Sequence, residues 1–270
     1  MENGPQHHIL ERHNSSIHFW LSGIANRPLI VFTHGAALDH RSFDEQVALV
    51  EKDYHVLTWD VRGHGLSQPL GDQFTIRECA EDLLAILDQV GVSQAVFIGL
   101  SMGGNITQEL VYVHPERVTA LVLMDCACNT LELSQIDRWL LKLSVPMLRM
   151  YPSSMLRKQI VNQSSIKPTV RAYIEDACAK VVSGQDFITI WAEVTDCIHE
   201  EPGYHIPCSL LLMRGEQDKL GNFKSAMPKW AKRDQAQYEI IPDAGHTANQ
   251  DNPKQVNHLL QEFLRQHVTV

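Results

Sequence analysis

The sequence predicts an α/β fold: a mostly parallel sheet covered by helices on both faces, with one helical excursion. Three observations carry this reading. Short apolar runs recur without polar alternation, as expected of strands buried on both faces. Segments of helical period lie between several of them, and parallel strands need such long crossovers. From about residue 127 to 205 the strand rhythm stops and only helix-like patterns remain. At 270 residues and 44% hydrophobic, the chain can bury one large core and still carry an insertion.

The elements follow in order. Residues 7–22 hold two strand-like runs around the polar Asn14-Ser15-Ser16, which predicts an antiparallel hairpin and a sheet mixed at one edge. Six further strands are expected at 29–32, 55–59, 95–98, 120–124, 209–213 and 238–241. Between the second and third of these six, Ile76, Ala80, Leu83, Leu84, Leu87 and Val90 follow the 3.6-residue period, with Glu78, Glu81, Asp82 and Asp88 mainly opposite. The excursion shows Phe187, Ile190, Trp191, Val194 and Ile198 on one face. It also carries Trp139, Met147, Met150 and Met155, large side chains that either fill its own core or line a pocket. After the last strand, Asn252-Pro253-Lys254-Gln255 reads as an N-cap, an N1 proline and an N3 glutamine, opening a helix with Val256, Leu259, Leu260 and Phe263 inward.

Composition narrows the function. Lys and Arg total 23 against 32 Asp and Glu, a formal charge of −9, and no basic run offers a footprint for phosphates, so no nucleic-acid partner is expected. No window approaches a membrane span, and residues 1–10 lack the apolar stretch of an export signal. We therefore expect a soluble, unexported chain without a membrane partner. The six cysteines form no C-x-x-C pair and sit largely in apolar segments, the reduced pattern of a cytoplasmic protein. Among the 14 histidines no H-x-x-x-H pair occurs, so no metal site is read.

Chemistry concentrates at Gly99-Leu100-Ser101-Met102-Gly103, a G-x-S-x-G between an expected strand and a helix-compatible stretch. A serine there occupies a sharp turn in which side chains at the flanking glycines would collide with strand or helix. The turn lifts Oγ above the sheet and leaves the Met102 N–H, at a helix N-terminus, facing any developing oxyanion. A serine hydroxyl needs a base, and the base needs an acid to orient it. Asp218, just beyond the strand at 209–213, and His246, in the loop before the last helix, supply these in Ser, acid, His order. In a parallel sheet all three reach the carboxyl edge. Asp125 and Glu216 compete as the acid, and Asp243 reads as a turn former. The turn Thr33-His34-Gly35-Ala36-Ala37 follows the first parallel strand. There Ala36 is the expected second oxyanion donor, Ala37 the fallback, and His34 a structural hydrogen-bonding residue.

On these features the chain resembles the α/β-hydrolase superfamily over nearly its whole length. The matching features are His34-Gly35, the segment from Asp60 to Ser67, the elbow at Gly99 to Gly103, Gly215-Glu216-Gln217-Asp218, and Gly245-His246. The resemblance implies an eight-stranded sheet, a core of residues 1–126 and 206–270, a helical cap at 127–205, and a Ser101/Asp218/His246 triad working without a cofactor. Serine at the elbow argues against the Asp-bearing epoxide hydrolases and haloalkane dehalogenases, and the turn after His34-Gly35 lacks the H-G-G-G of many lipases. The expected activity is serine-dependent hydrolysis of a small or medium ester, with Trp139, Met147 and Trp191 as pocket candidates. C–C bond hydrolysis, perhydrolase-like chemistry and a ligand receptor built on the same scaffold are the alternatives.

Overall fold

The computed structural model describes residues 4–181 and 185–269. Residues 1–3 and 270 of the expected core and 182–184 of the expected cap lie outside the described residues. The hairpin forms from β1 (Gln6–Arg12) and β2 (Ser15–Gly23), with Arg12 opposite Ser15. Its turn is His13-Asn14, at φ 49° and 56°, two residues earlier than the serines suggest. A two-residue hairpin loop needs positive φ at both positions, which Asn tolerates, and Ser15 and Ser16 are thereby free to extend the second strand.

The parallel strands are β3 (Leu29–Thr33), β4 (His55–Trp59), β5 (Ala95–Leu100), β6 (Val118–Met124), β7 (Ser209–Gly215) and β8 (Gln237–Ile241). They build one eight-stranded sheet of order β1-β2-β4-β3-β5-β6-β7-β8, antiparallel only where β2 meets β1 and β4. The chain goes from β3 outward to β4 and then crosses back to β5, on the other side of β3. This reversal opens a crevice at the carboxyl ends of β3 and β5, where open α/β sheets bind ligands.

Helices α1 (Asp44–Val50), α2 (Ile76–Val90) and α3 (Met102–Val113) follow β3, β4 and β5. Thr75 caps α2 by accepting from Glu78 N–H, and Gly91 ends it in the left-handed conformation. Strand side chains alternate between two buried layers. Leu29 and Val31 join Trp59, Phe97 and Trp230 on one face, while Ile30 and Phe32 join Phe43 and Phe263 on the other.

Between β6 and β7 run α4 (Gln135–Arg149), α5 (Ser153–Ser164), α6 (Pro168–Val181) and α7 (Gln185–Asp196). Then come α8 (Phe223–Asp234), α9 (Ala248–Asp251) and α10 (Pro253–His267), the last capped by the Asn252 side chain accepting from Gln255 N–H. The insertion is attached unevenly. Helix α6 buries Ile174, Ala177, Cys178 and Val181, and α4 buries no side chain fully. Polar clamps fix the α5–α6 half to the core: Tyr173 Oη donates to Asp39 at 3.1 Å, and Ser165 Oγ donates to Asp251.

Candidate active site

Ser101 follows β5 directly and caps α3, at φ 52° and ψ −120°, a region that costs a non-glycine residue about 1–3 kcal/mol and persists only where surroundings enforce it. The enforcing contacts are visible. Ser101 N–H donates to Met124 O at 2.9 Å, and Ser101 O accepts from Gly104 N–H at 2.8 Å. A Cβ at Gly99 would lie 2.6 Å from the Gly103 carbonyl oxygen, and one at Gly103 would overlap the Thr33 carbonyl. Both glycines are therefore required for strand and helix to approach this closely.

The turn after β3 abuts the serine, since a Cβ at Gly35 would sit 3.3 Å from Ser101 Cβ. His34 shapes that turn. Its Nδ1–H donates to Gly35 O at 2.8 Å and its Nε2 accepts from Val61 N–H at 3.0 Å. Burial holds its pKa below the ordinary histidine value, so the ring is neutral and both nitrogens are committed. This matches the structural role read for it. His64, also buried, is pushed down to about 3 by desolvation. Ala36 is half-buried in this turn, and Ala37 beyond it adopts φ 62°. The Met102 N–H, first in α3, has no intrahelical acceptor.

His246 lies in the loop between β8 and α9, gripped from both sides: Gly245 N–H donates to Asp251 Oδ2 at 2.8 Å, and Thr247 N–H donates to Ser164 O at 2.8 Å. Its Nδ1–H donates to Asp218 Oδ2 at 3.0 Å. The other Asp218 oxygen accepts from Leu220 N–H at 2.9 Å. Burial pushes the Asp218 pKa up, but the charge and hydrogen bond of His246, with help from Leu220 N–H and Asp125, bring it below the ordinary carboxylate value. An ionised Asp218 can only accept, which fixes the proton on Nδ1 and leaves Nε2 as a base.

Asp125, the rival acid, is fully buried after β6 at φ 47°. Its Oδ1 accepts from Gly215 N–H at 2.7 Å, and among the described residues its Oδ2 meets no hydrogen-bond criterion. Desolvation first, and the neighbouring Asp218 second, push its pKa well above the ordinary value, which favours its neutral form. Asp125, Asp218 and His246 place ligand atoms within 4.8 Å of one another, the one such group of three or more among the described residues. The Asp218–His246, Asp218–Leu220 and Asp125–Gly215 bonds engage both Asp218 oxygens, Asp125 Oδ1 and His246 Nδ1, so a cation here would compete with the contacts that hold the site. Glu216, the other rival, is exposed and faces Asp243 N–H at 3.4 Å.

Ser101 and His246 line a single cavity of about 360 Å³. Its walls come from the core (Asn105, Cys126, Phe223) and from the insertion (Leu140, Leu141, Ser144, Trp191, Val194, Ile198). Among the described residues no hydrogen bond joins Ser101 Oγ to the imidazole, as is common in unliganded sites. The Phe223 ring stacks beside the His246 ring, centroids 5.8 Å apart. Trp191 is on the wall as read, and its Nε1–H donates to Ser144 Oγ at 3.0 Å. Trp139 and Met147 do not line this cavity. They lie on the outer face of α4, 62% and 54% exposed, because the helix turns Leu141, Ser144 and Leu148 inward instead. Phe223 is not singled out from the sequence and Val194 is read there only as part of a helix face, since a large apolar residue in a helical pattern carries no mark of what it faces.

The chain matches the family model described as "alpha/beta hydrolase fold" over residues 28–253. It is similar to 3-oxoadipate enol-lactonase 2 of Acinetobacter baylyi, at 22% identity over 261 residues, covering 90% of this chain and 91% of that protein. It is also similar to 3-oxoadipate enol-lactonase 1 of the same organism, at 38% identity over 96 residues, a stretch spanning 36% of each chain. Among solved structures, a thermophilic esterase from Thermogutta terrifontis superposes with a TM-score of 0.77 at 21% identity, covering 98% of this chain and 100% of that one. The elbow, the switch-point crevice and a family match running from the start of β3 to the start of α10 agree: this chain belongs to the α/β-hydrolase fold family.

Proposed function

We propose that the protein is a serine hydrolase cleaving small or medium carboxylic esters through an acyl-enzyme. The observation that carries this is the Asp218–His246 pair, whose imidazole lines an apolar cavity also lined by Ser101 in its strained turn. In this reading Ser101 Oγ attacks the carbonyl carbon while His246 Nε2 takes its proton. The oxyanion accepts from the Met102 and Ala36 N–H groups. Collapse of the tetrahedral intermediate breaks the ester C–O bond, and the departing alcohol takes the proton from His246. Water, deprotonated by the same nitrogen, then attacks the acyl-enzyme and restores Ser101. Proton and acyl transfers close on these side chains and water. The lactonases among the relatives support the assignment to esters, because a lactone is an internal ester.

Residues 127–205 act in this proposal as a cap over a core of 1–126 and 206–270. A cavity of about 360 Å³ is at the small end of ligand pockets, which run from about 300 to 1,000 Å³, so short acyl or aryl groups fit best. The six free cysteines, four of them buried, are consistent with a reducing, cytoplasmic setting. The test is a panel of chromogenic acetate to octanoate esters, with a β-diketone beside them, followed by intact mass. Ester turnover with an acyl adduct on Ser101 is the expected result. Turnover of the diketone alone would replace ester by C–C hydrolysis, and no turnover without a partner protein would favour a receptor.

A further inference from the structure

We propose that the outer face of α4, with the turn that follows it, docks on an anionic lipid surface. Ile136, Trp139, Met147 and Met150 are each between 54% and 83% exposed, and at 100° per residue they form one stripe along the helix. Seven of the eleven exposed large hydrophobic residues found among the described residues lie between 136 and 155. The stripe is not needed to hold α4 in place, because Leu141, Ser144 and Leu148 turn inward on a separate face, toward the cavity and core. A helix apolar on both faces is ordinarily buried on both, so the outer one lacks its partner.

Charge selects the occupant. Residues 134–158 contain Arg138, Lys142, Arg149, Arg157 and Lys158 against Asp137 alone, in a chain whose formal charge is −9. Arg138 pairs with Glu200 at 2.7 Å, while Lys142 and Arg149 are exposed beside the stripe. A second copy of this chain would bring like charges together, whereas a negatively charged headgroup layer attracts them. Trp139 and Tyr151 are the residue types that settle at headgroup depth. The expectation of no membrane partner rests on the lack of a spanning segment, and a helix lying flat in the interface needs none.

The test uses the full chain and vesicles of phosphatidylcholine with or without phosphatidylglycerol, read by flotation and by quenching of tryptophan fluorescence with brominated lipid. We expect at least about tenfold more protein on the anionic vesicles, with quenching that Trp139→Phe abolishes. Ile136→Ser/Trp139→Ser/Met150→Ser should lose the binding, and Lys142→Glu/Arg149→Glu should lose the preference for anionic lipid. Circular dichroism checks that these exposed substitutions leave the fold intact. Equal flotation on both vesicle types, or quenching that persists in Trp139→Phe, would overturn the proposal. So would a wild-type dimer in solution that the triple serine variant dissociates and that does not float.

Discussion

At the carboxyl edge of the sheet the imidazole and both carboxyl groups of the site are held by directional contacts: His246 by Asp218, Asp218 by Leu220 N–H, Asp125 by Gly215 N–H. Helix α4, on another wall of the same cavity, buries no side chain fully and is tied to the rest of the insertion by the Trp191–Ser144 bond, the Arg138–Glu200 ion pair and apolar packing. One wall is built to hold atoms in position and the other to exclude water and admit a range of shapes. The chemistry should therefore be sensitive to single atoms at the edge and tolerant of change on α4, and the ordering of mutational effects can break that distinction.

The largest effect belongs to Ser101. Ser101→Ala should abolish labelling by a fluorophosphonate and lower kcat by at least about 10⁴-fold, since removal of one member disables the whole unit. Label found on the variant by intact mass would place the nucleophile elsewhere. Asp218→Asn comes next, with a loss in kcat of roughly 10³ to 10⁴, because an amide can no longer hold the proton on Nδ1. The same exchange at Asp125 should leave kcat within about threefold, the carboxyl and the amide having the same shape. A reversal of those two results would move the orienting acid to the end of β6.

The contrast between the two walls also explains how much could be read beforehand. The six strands, the hairpin, α2 and α10 were legible because burial on both faces and amphipathic periods write themselves into residue order. The elbow was legible for a steric reason: Gly99 and Gly103 are the only residues that fit where they stand. The pocket was not. Trp139 and Trp191 look alike in the sequence, both large, aromatic and at helical spacing, yet Trp191 reaches the cavity and Trp139 faces out. Periodicity defines a face but does not say which face meets the core, and α4 has two apolar faces. Nor could residue order show that Asp125 lies against Asp218, a pairing set by the alignment of β6 with β7.

Within the insertion, stability should divide the same way. Ile174 on α6 is fully buried, and Ile174→Ala should cost about 2–5 kcal/mol by leaving a cavity. Ile136→Ala, on the open face of α4, should stay within about 0.5 kcal/mol. Chemical denaturation of the two variants checks this, and equal losses would mean that α4 is as firmly packed as α6. A smaller effect is expected on selectivity. Trp191→Ala should change the ratio of kcat/KM for octanoate over acetate esters by at least about threefold, whereas Trp139→Ala should leave it within about twofold. Equal ratios would detach both side chains from the acyl pocket.

The smallest effect tests the edge against its own electrostatics. Asp125 has a folded-state pKa well above the ordinary value, raised by burial and then by Asp218, while in the unfolded chain it titrates near about 3.9. Above that pH the unfolded chain has released a proton that the folded protein keeps, so this residue makes stability fall as pH rises, until the folded pKa is passed. Asp218 has the opposite sign. Its lowered pKa contributes stability that is present above about 3.9 and lost only as pH falls through the folded value, outside the range from 5 to 8. Asp125→Asn retains an acceptor for Gly215 N–H and removes the titration. The Tm of the variant relative to the wild type should accordingly be more favourable at pH 8 than at pH 5, by at least about 2 °C for a chain of this size. A difference that is constant with pH would mean that Asp125 is already ionised in the folded protein. The edge would then hold two adjacent carboxylates, and the contrast with α4 would have to be drawn on packing alone.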